Sequence, residues 1–384
     1  MNSLKPISSI KRVKLLLALF GVTIAFLLLE MLALTRLVDY RAVFHTEDPT
    51  PWGHPSNRLD PALIHIRKPN IVLDGVQPSG DIGFYYDIPE PTSYPYHATY
   101  DQDGFRNETD LSSAPIVVLG DSFVESLLTS SSEHFITLTS KALQLPIRNL
   151  GQLWYGPQQE LEVLRRYTIP HQPKIVVWAF FEGNDLTDYL RYERMMHTWP
   201  ALQSKLESYV DRSLLKNSLR AIRRKLQGEI TKSPADFALC SRSQKQRVPL
   251  YFYYDEIYRS SPIEHALLET KRIIEQAASE TRSIGAKFMF VFIPSKSRVY
   301  RPLCNPDSPQ PVNGWLEHEL RTLITAKIPE ATYMDLTPAL QEAARSASPL
   351  LYFVDDTHWS TAGHAVVADE ISRALKVLIQ SSLN

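Results

Sequence analysis

Residues 174–181 read K-I-V-V-W-A-F-F, and after Lys174 there is no polar side chain to turn toward water at every second position. A strand with one wet face alternates polar and apolar residues. One without alternation has to be covered on both faces, as the strands of helix-flanked parallel sheets are. Further strand candidates lie at 116–119, 145–150, 287–293 and 332–336, and helical apolar spacing occupies 158–167, 263–284, 315–326 and 365–379. Strands and helices alternate, so the expected fold is a three-layer α/β/α sandwich around a five-stranded parallel sheet.

The chain before this pattern has a different character. Residues 1–14 hold Lys5, Lys11, Arg12 and Lys14 without an acidic residue, and an apolar stretch follows over 15–35. As a helix that stretch is about 30 Å long, enough to cross a hydrocarbon core. The expectation is a cytoplasmic basic N-terminus over 1–14 and a single-pass, N-in anchor over 15–36, with the rest of the chain extracytoplasmic, at the periplasmic or outer face of the cell membrane. Glu30 lies near the outer end of the span, where it can approach headgroup water or Arg36. A cleaved signal peptide is the rival; no small-x-small cleavage site follows, which favours a retained anchor. Cys240 and Cys304 are the two cysteines of the chain, and in an oxidising compartment they can pair. A net charge of -1 gives no general pull toward nucleic acid.

Residues 37–110 are rich in Pro, Asp and Tyr and read as an extended segment wrapping the next domain, with short strands near 65–66 and 84–86 and a turn at Asp103-Gly104 that offers Phe105 for burial. Arg106 beside it has no assigned chemistry. The α/β domain is expected over 111–384, interrupted by a helical insertion at about 186–262. Within that insertion 202–227 is basic along one side, with Lys216, Arg220, Arg223, Arg224 and Lys225. A solvated helix face is the plain reading, and contact with anionic lipid or an acidic polymer the sharper one.

Three turns carry candidate chemistry. Gly120-Asp121-Ser122 follows the first strand, so Ser122 stands at a strand's carboxyl end, where open α/β sheets place their sites. Helix capping by Asp121 or Ser122 is the structural alternative. Gly183-Asn184-Asp185 follows the 174–181 strand. Near the end of the chain, Y-F-V-D-D-T-H-W-S-T-A-G-H delivers Asp355, Asp356 and His358 to the turn before the last helix. A serine hydroxyl needs a neighbouring base, and the base an orienting carboxylate. Either aspartate can fold back on His358; His364 is a second imidazole, pointed elsewhere by its helix. The His and Cys residues show no metal-ligand spacing, and no cofactor is expected.

Taken together, Gly120-Asp121-Ser122, the N-L-G-Q-L-W-Y-G turn, Gly183-Asn184-Asp185 and the Asp-x-x-His of 355–358 resemble the GDSL or SGNH hydrolase superfamily, from about residue 116 to the C-terminus. The resemblance implies its flavodoxin-like fold, a nucleophile at Ser122, a base at His358 and an oxyanion hole made of the Ser122 amide, the Gly151 amide and the Asn184 side chain. The D-T-H-W string also resembles the Asp-x-His-Trp motif of alginate acetyltransferase-like members, which would make Asp356 the acid; Asp355 stays open. Lys296, in I-P-S-K-S-R-V-Y, is read only as a solvated or substrate-facing cation. The implied activity is a membrane-anchored serine esterase or O-acyltransferase acting on acyl, above all acetyl, groups of a cell-envelope polysaccharide, with an envelope-biosynthesis complex as a further candidate partner. A lipid or small-ester hydrolase is the alternative within enzymes. A catalytically silent glycan-binding scaffold is the alternative outside them.

Overall fold

Five parallel strands form the central sheet: β1 (Ile116–Gly120), β2 (Ile147–Gly151), β3 (Ile175–Phe181), β4 (Lys287–Ile293) and β5 (Thr332–Asp335), in the spatial order β5-β4-β3-β1-β2. Every residue of β1, β2 and β3 is buried, which is why these strands lack alternation. One face packs Val117, Leu119, Trp178, Phe180 and Phe290 against helices Ser261–Ser283 and Trp315–Lys327. The other packs Val118, Val177 and Val291 against helices Phe135–Leu143 and Thr361–Gln380. This is the sandwich expected from the sequence. Strand order reverses between β1 and β3, and the crevice outside their carboxyl ends is where such a sheet receives a ligand.

The structure, a computed structural model, describes residues 9–44, 54–207, 209–227, 236–243, 246–252, 257–304, 314–345 and 349–380. Lys5, the basic residue before position 9, lies outside these. The chain divides into two compact units, Met1–His54 with Thr198–Thr231, and Pro55–His197 with Lys232–Asn384. In the first, residues 10–34 of helix Ser9–Leu34 are long and apolar enough to cross a membrane by length and composition.

In the second unit the segment before β1 forms two antiparallel pairs, Asn57–Asp60 with Ile64–Arg67 and Val72–Gln77 with Tyr94–Thr99. The strand expected near 84–86 is instead the end of a short helix, Asp81–Tyr85. Its first amides find acceptors far along the chain: Asp81 N–H donates to Asp356 Oδ2 (2.8 Å), and Ile82 N–H to the Asp355 carbonyl (3.2 Å). Tertiary acceptors, not local propensity, fix that turn. The segment after β3 forms helices over Asp185–Glu207, Tyr209–Arg212 and Leu214–Gln227. It then forms an antiparallel pair, Asp236–Ser243 with Gln246–Phe252, that the sequence reading missed. Cys240 and Cys304 are joined in a disulfide.

Glu125, three residues after Ser122, ties the wrapping segment to the sheet. Its buried carboxylate accepts from Arg67 Nε and Nη2 (2.9 and 2.8 Å), from the Tyr100 hydroxyl and from the Leu153 amide. Burial alone would raise its pKa, but the Arg67 guanidinium holds it below the ordinary carboxylate value. Arg106 donates to the Glu125, Ser126 and Thr129 carbonyls, which gives it a structural use. Replacing Arg67 by Met would leave a charge buried without its partner. The expected cost is about 3–5 kcal/mol of stability, read from the urea midpoint, with Arg67→Lys losing less.

Candidate active site

Ser122 begins a helical turn, Ser122–Glu125, that starts where β1 ends. Asp121 caps it, accepting from Phe123 N–H at 2.9 Å, so the cap is the aspartate and the serine hydroxyl is left for other use. At the helix's first residue, the Ser122 amide has no intrahelical acceptor.

The Ser122 hydroxyl lies 2.7 Å from His358 Nε2, and His358 Nδ1 lies 2.6 Å from Asp356 Oδ1. Serine, imidazole and carboxylate form one line of hydrogen bonds. Asp356 is buried, and its Oδ1 also accepts from the His358 amide (2.9 Å), so one carboxylate fixes both the ring and the backbone of the histidine. Asp355, the alternative acid, points the other way. Its carboxylate accepts from the Tyr94 hydroxyl, the Thr92 amide (2.8 Å) and the Gly80 amide (3.3 Å), which anchors the wrapping segment. His364 bonds Ser126 Oγ at 2.8 Å, and burial lowers its pKa to about 3.

Asp81 is a site residue that the sequence reading did not single out. Its carboxylate accepts from the Thr357 amide (2.8 Å) and hydroxyl, and one oxygen lies 3.9 Å from His358 Nδ1. Burial, then the Asp356 charge, pushes its pKa up to about 7. No motif marks it, because its approach depends on the wrapping segment folding over the last turn. Gly80 permits that approach: a Cβ there would meet the Asp355 carbonyl at 2.2 Å. Burial alone would lower the pKa of His358, but the Asp356 carboxylate, seconded by Asp81 and Asp121, raises it to about 9. Asp81, Asp356 and His358 together offer ligand atoms close enough for a metal ion. Asp356 and His358 are already joined in the Ser122 line and the Asp81 carboxylate bonds Thr357, so the arrangement is read as one for proton transfer.

Lys296 is corrected from a solvated cation. It is buried, and its ammonium donates to the carbonyls of Phe353 and Val354 (2.6 Å each) and Asp356 (3.2 Å). It holds the loop that carries Asp356 and His358.

Gly151 is the second correction. Its amide donates to Asn149 Oδ1 at 2.8 Å, two residues back, and so is already spent. A Cβ at Gly151 would meet Val124 Cβ at 2.4 Å and the Glu125 nitrogen at 2.5 Å. The glycine is needed where the β2 turn presses on the Ser122 turn, which is a packing role. The residues of its loop that line the Ser122 crevice are Leu153 and Trp154. Trp154 has φ 69°, in the left-handed region; Arg191 donates to its carbonyl (2.9 Å) and lies over its ring at 4.4 Å. Asn184 lines the same crevice at the end of β3, close enough to Asp121 for its side chain to favour the charged form of that carboxyl group against burial. The crevice has a volume of about 560 Å³.

Residues 251–382 match the family described as SGNH hydrolase-like domain, acetyltransferase AlgX. That region contains His358 and both aspartates. Residues 251–382 of the α/β domain are thus similar to an SGNH hydrolase-like domain. Solved structures similar to the chain include a putative lipolytic protein of the G-D-S-L family from Desulfitobacterium hafniense (13% identity, 67% of this chain and 97% of that one, TM-score 0.37). A lipase/acylhydrolase from Enterococcus faecalis (14%, 68% and 94%, 0.38) and a catalytic mutant of an acetylxylan esterase from Geobacillus stearothermophilus (12%, 67% and 92%, 0.37) are also similar. No curated protein matches the sequence.

An imidazole takes a serine proton only when neutral. Because the carboxylates raise the pKa of His358, kcat/KM for a neutral aryl ester is expected to climb with pH through a midpoint above the ordinary histidine value of about 6.5, toward about 9. Asp81→Asn removes one of those negative charges and is expected to move the midpoint to lower pH. An unchanged midpoint would show that the imidazole does not feel Asp81.

Proposed function

We propose that the SGNH-like domain transfers acyl groups through a covalent ester on Ser122. The line Ser122–His358–Asp356 carries this reading. His358 Nε2 takes the hydroxyl proton as Ser122 Oγ bonds to the ester carbonyl carbon. The tetrahedral oxyanion forms near the Ser122 amide and the Asn184 side chain, which would turn from Asp121 toward it. Collapse breaks the bond to the leaving alkoxide, which receives the proton from His358. Water, or a sugar hydroxyl, then enters by the reverse sequence, leaving free acid or a new ester. Gly151 is left out of the oxyanion site.

The proposed substrate is an O-acetylated envelope polysaccharide, and the proposed setting a single-pass anchor with the domain extracytoplasmic. The match to an acetyltransferase family supports this, as do the rings lining the crevice, Tyr85, Trp154 and Tyr258, with Tyr85 and Tyr258 exposed and able to lie against sugar faces. The apolar helix Ser9–Leu34 supports the anchor.

A fluorophosphonate probe tests the nucleophile: labelling and aryl acetate turnover are expected in the native chain and absent from a folded Ser122→Ala variant. No Ser122-dependent labelling would leave the scaffold reading. With an acceptor oligosaccharide present, acetylated product indicates transfer and free acetate alone hydrolysis. Asp356→Asn is expected to lower kcat by about 10⁴-fold, with Asp355→Asn acting on stability instead. Trp154→Ala is expected to raise KM for an acetylated oligosaccharide while leaving kcat/KM for an aryl acetate nearly unchanged. Equal losses on both substrates would mean that Trp154 shapes the reacting centre and not a sugar subsite.

A further inference from the structure

Helix Leu214–Gln227 has two unlike exposed sides. Its sequence, L-L-K-N-S-L-R-A-I-R-R-K-L-Q, holds five bases and no acid. At about 100° per residue, Leu215, Leu219 and Ile222 fall on one narrow stripe, and Lys216, Arg220 and Arg223 on the adjoining arc. Leu215, Leu219 and Ile222 are 52%, 57% and 54% exposed. The remaining side is the one turned inward: Asn217 is fully buried and donates to the Asp211 and Ser213 carbonyls, each at 2.8 Å. The apolar stripe is therefore not the face by which the helix packs on its own unit.

Glu30 joins this helix to the apolar one. Its Oε1 accepts from the Leu215 amide at 2.8 Å, and its Oε2 from the Tyr209 hydroxyl at 2.8 Å and the Leu214 amide at 3.3 Å. The one carboxylate in Ser9–Leu34 thus satisfies first-turn amides of the basic helix. Glu30 lies near the C-terminal end of the apolar helix, so the basic helix starts at that end of the span.

We propose that Leu214–Gln227 lies in the membrane surface at the outer end of the span, with Leu215, Leu219 and Ile222 seated at the acyl boundary and the flanking bases at anionic headgroups. An acidic polymer would match the bases and leave the stripe in water; a leaflet containing anionic lipid covers both. This inference rests on the anchor reading, and its test separates the two.

Nitroxide labels are placed by Leu219→Cys, Ile222→Cys, Arg223→Cys and, in the span, Val22→Cys. The full chain, with its native disulfide, is reconstituted in vesicles of phosphatidylcholine with and without phosphatidylglycerol. The expected result is relaxation by oxygen over an aqueous nickel complex at 22, 219 and 222, and the reverse at 223. Arg220→Gln is expected to lower the docked-to-undocked ratio at 219 about fivefold in the anionic vesicles. Nickel access at 219 and 222 with Val22 shielded overturns the proposal and leaves the anchor standing. Nickel access at Val22 as well overturns the anchor and the proposal with it. Equal docking in both lipid compositions, or shielding at 219 that requires an added acidic oligosaccharide, overturns the role of anionic lipid.

Discussion

Asp356 has to remain ionised while buried, and the site depends on how that is arranged. A carboxylate withdrawn from water raises its pKa unless hydrogen-bond donors and a positive partner replace the lost hydration. Here two amides, Asp81 N–H and His358 N–H, and the His358 ring supply them, and the pKa of Asp356 is lowered despite its burial. One donor comes from the wrapping segment and two from the carboxylate's own turn. Orientation of the imidazole therefore requires that the segment before the sheet and the loop after it have already met.

The same dependence appears at the other residues that hold the turn. Lys296 fixes the carbonyls on one side of the loop, and Asp355 collects donors from Gly80, Thr92 and Tyr94 on the other. Two adjacent aspartates thus divide the work: one faces the histidine and its neighbour binds the wrapping segment. Glu125 does for the Ser122 turn what Asp355 does for the His358 turn, with Arg67 and Tyr100 in place of amides. Nucleophile and base are carried by opposite ends of the domain, and each end is fastened to the same segment that precedes them both.

What could be read from the sequence follows from this division. Strands β1, β3 and β4 were legible because burial on both faces leaves an apolar run that nothing else explains. Ser122, Asn184 and His358 were legible because each follows such a run. Asp81 and Lys296 were not, since a lone Asp in a Pro-rich stretch and a lone Lys after a strand carry no local signal, and their uses arise from contacts hundreds or tens of residues away. The choice between Asp355 and Asp356 needed backbone direction, which two adjacent residues of one type do not reveal. Gly151 was misassigned to the oxyanion site because a glycine after a strand serves close packing as readily as it serves a backbone donor, and here Asn149 has taken its amide.

The charges around His358 pose a chemical problem that the geometry also answers. Because those charges raise its pKa, the ring is held as imidazolium to higher pH than a free histidine. An imidazolium cannot accept the Ser122 proton, but it is the state required when the leaving alkoxide is to be protonated. Two nearby carboxylates favour that second half of the reaction at the expense of the first. Asp81, pushed up to about 7 by burial and by Asp356, is the group able to shift the balance. When it carries a proton, one negative charge near the ring is gone and the imidazole gives up its proton more readily. A substrate that fills the crevice removes further water from Asp81 and pushes it in the same direction. In that account the ester itself raises the fraction of neutral base, and an empty site leaves Ser122 largely unactivated in the presence of water.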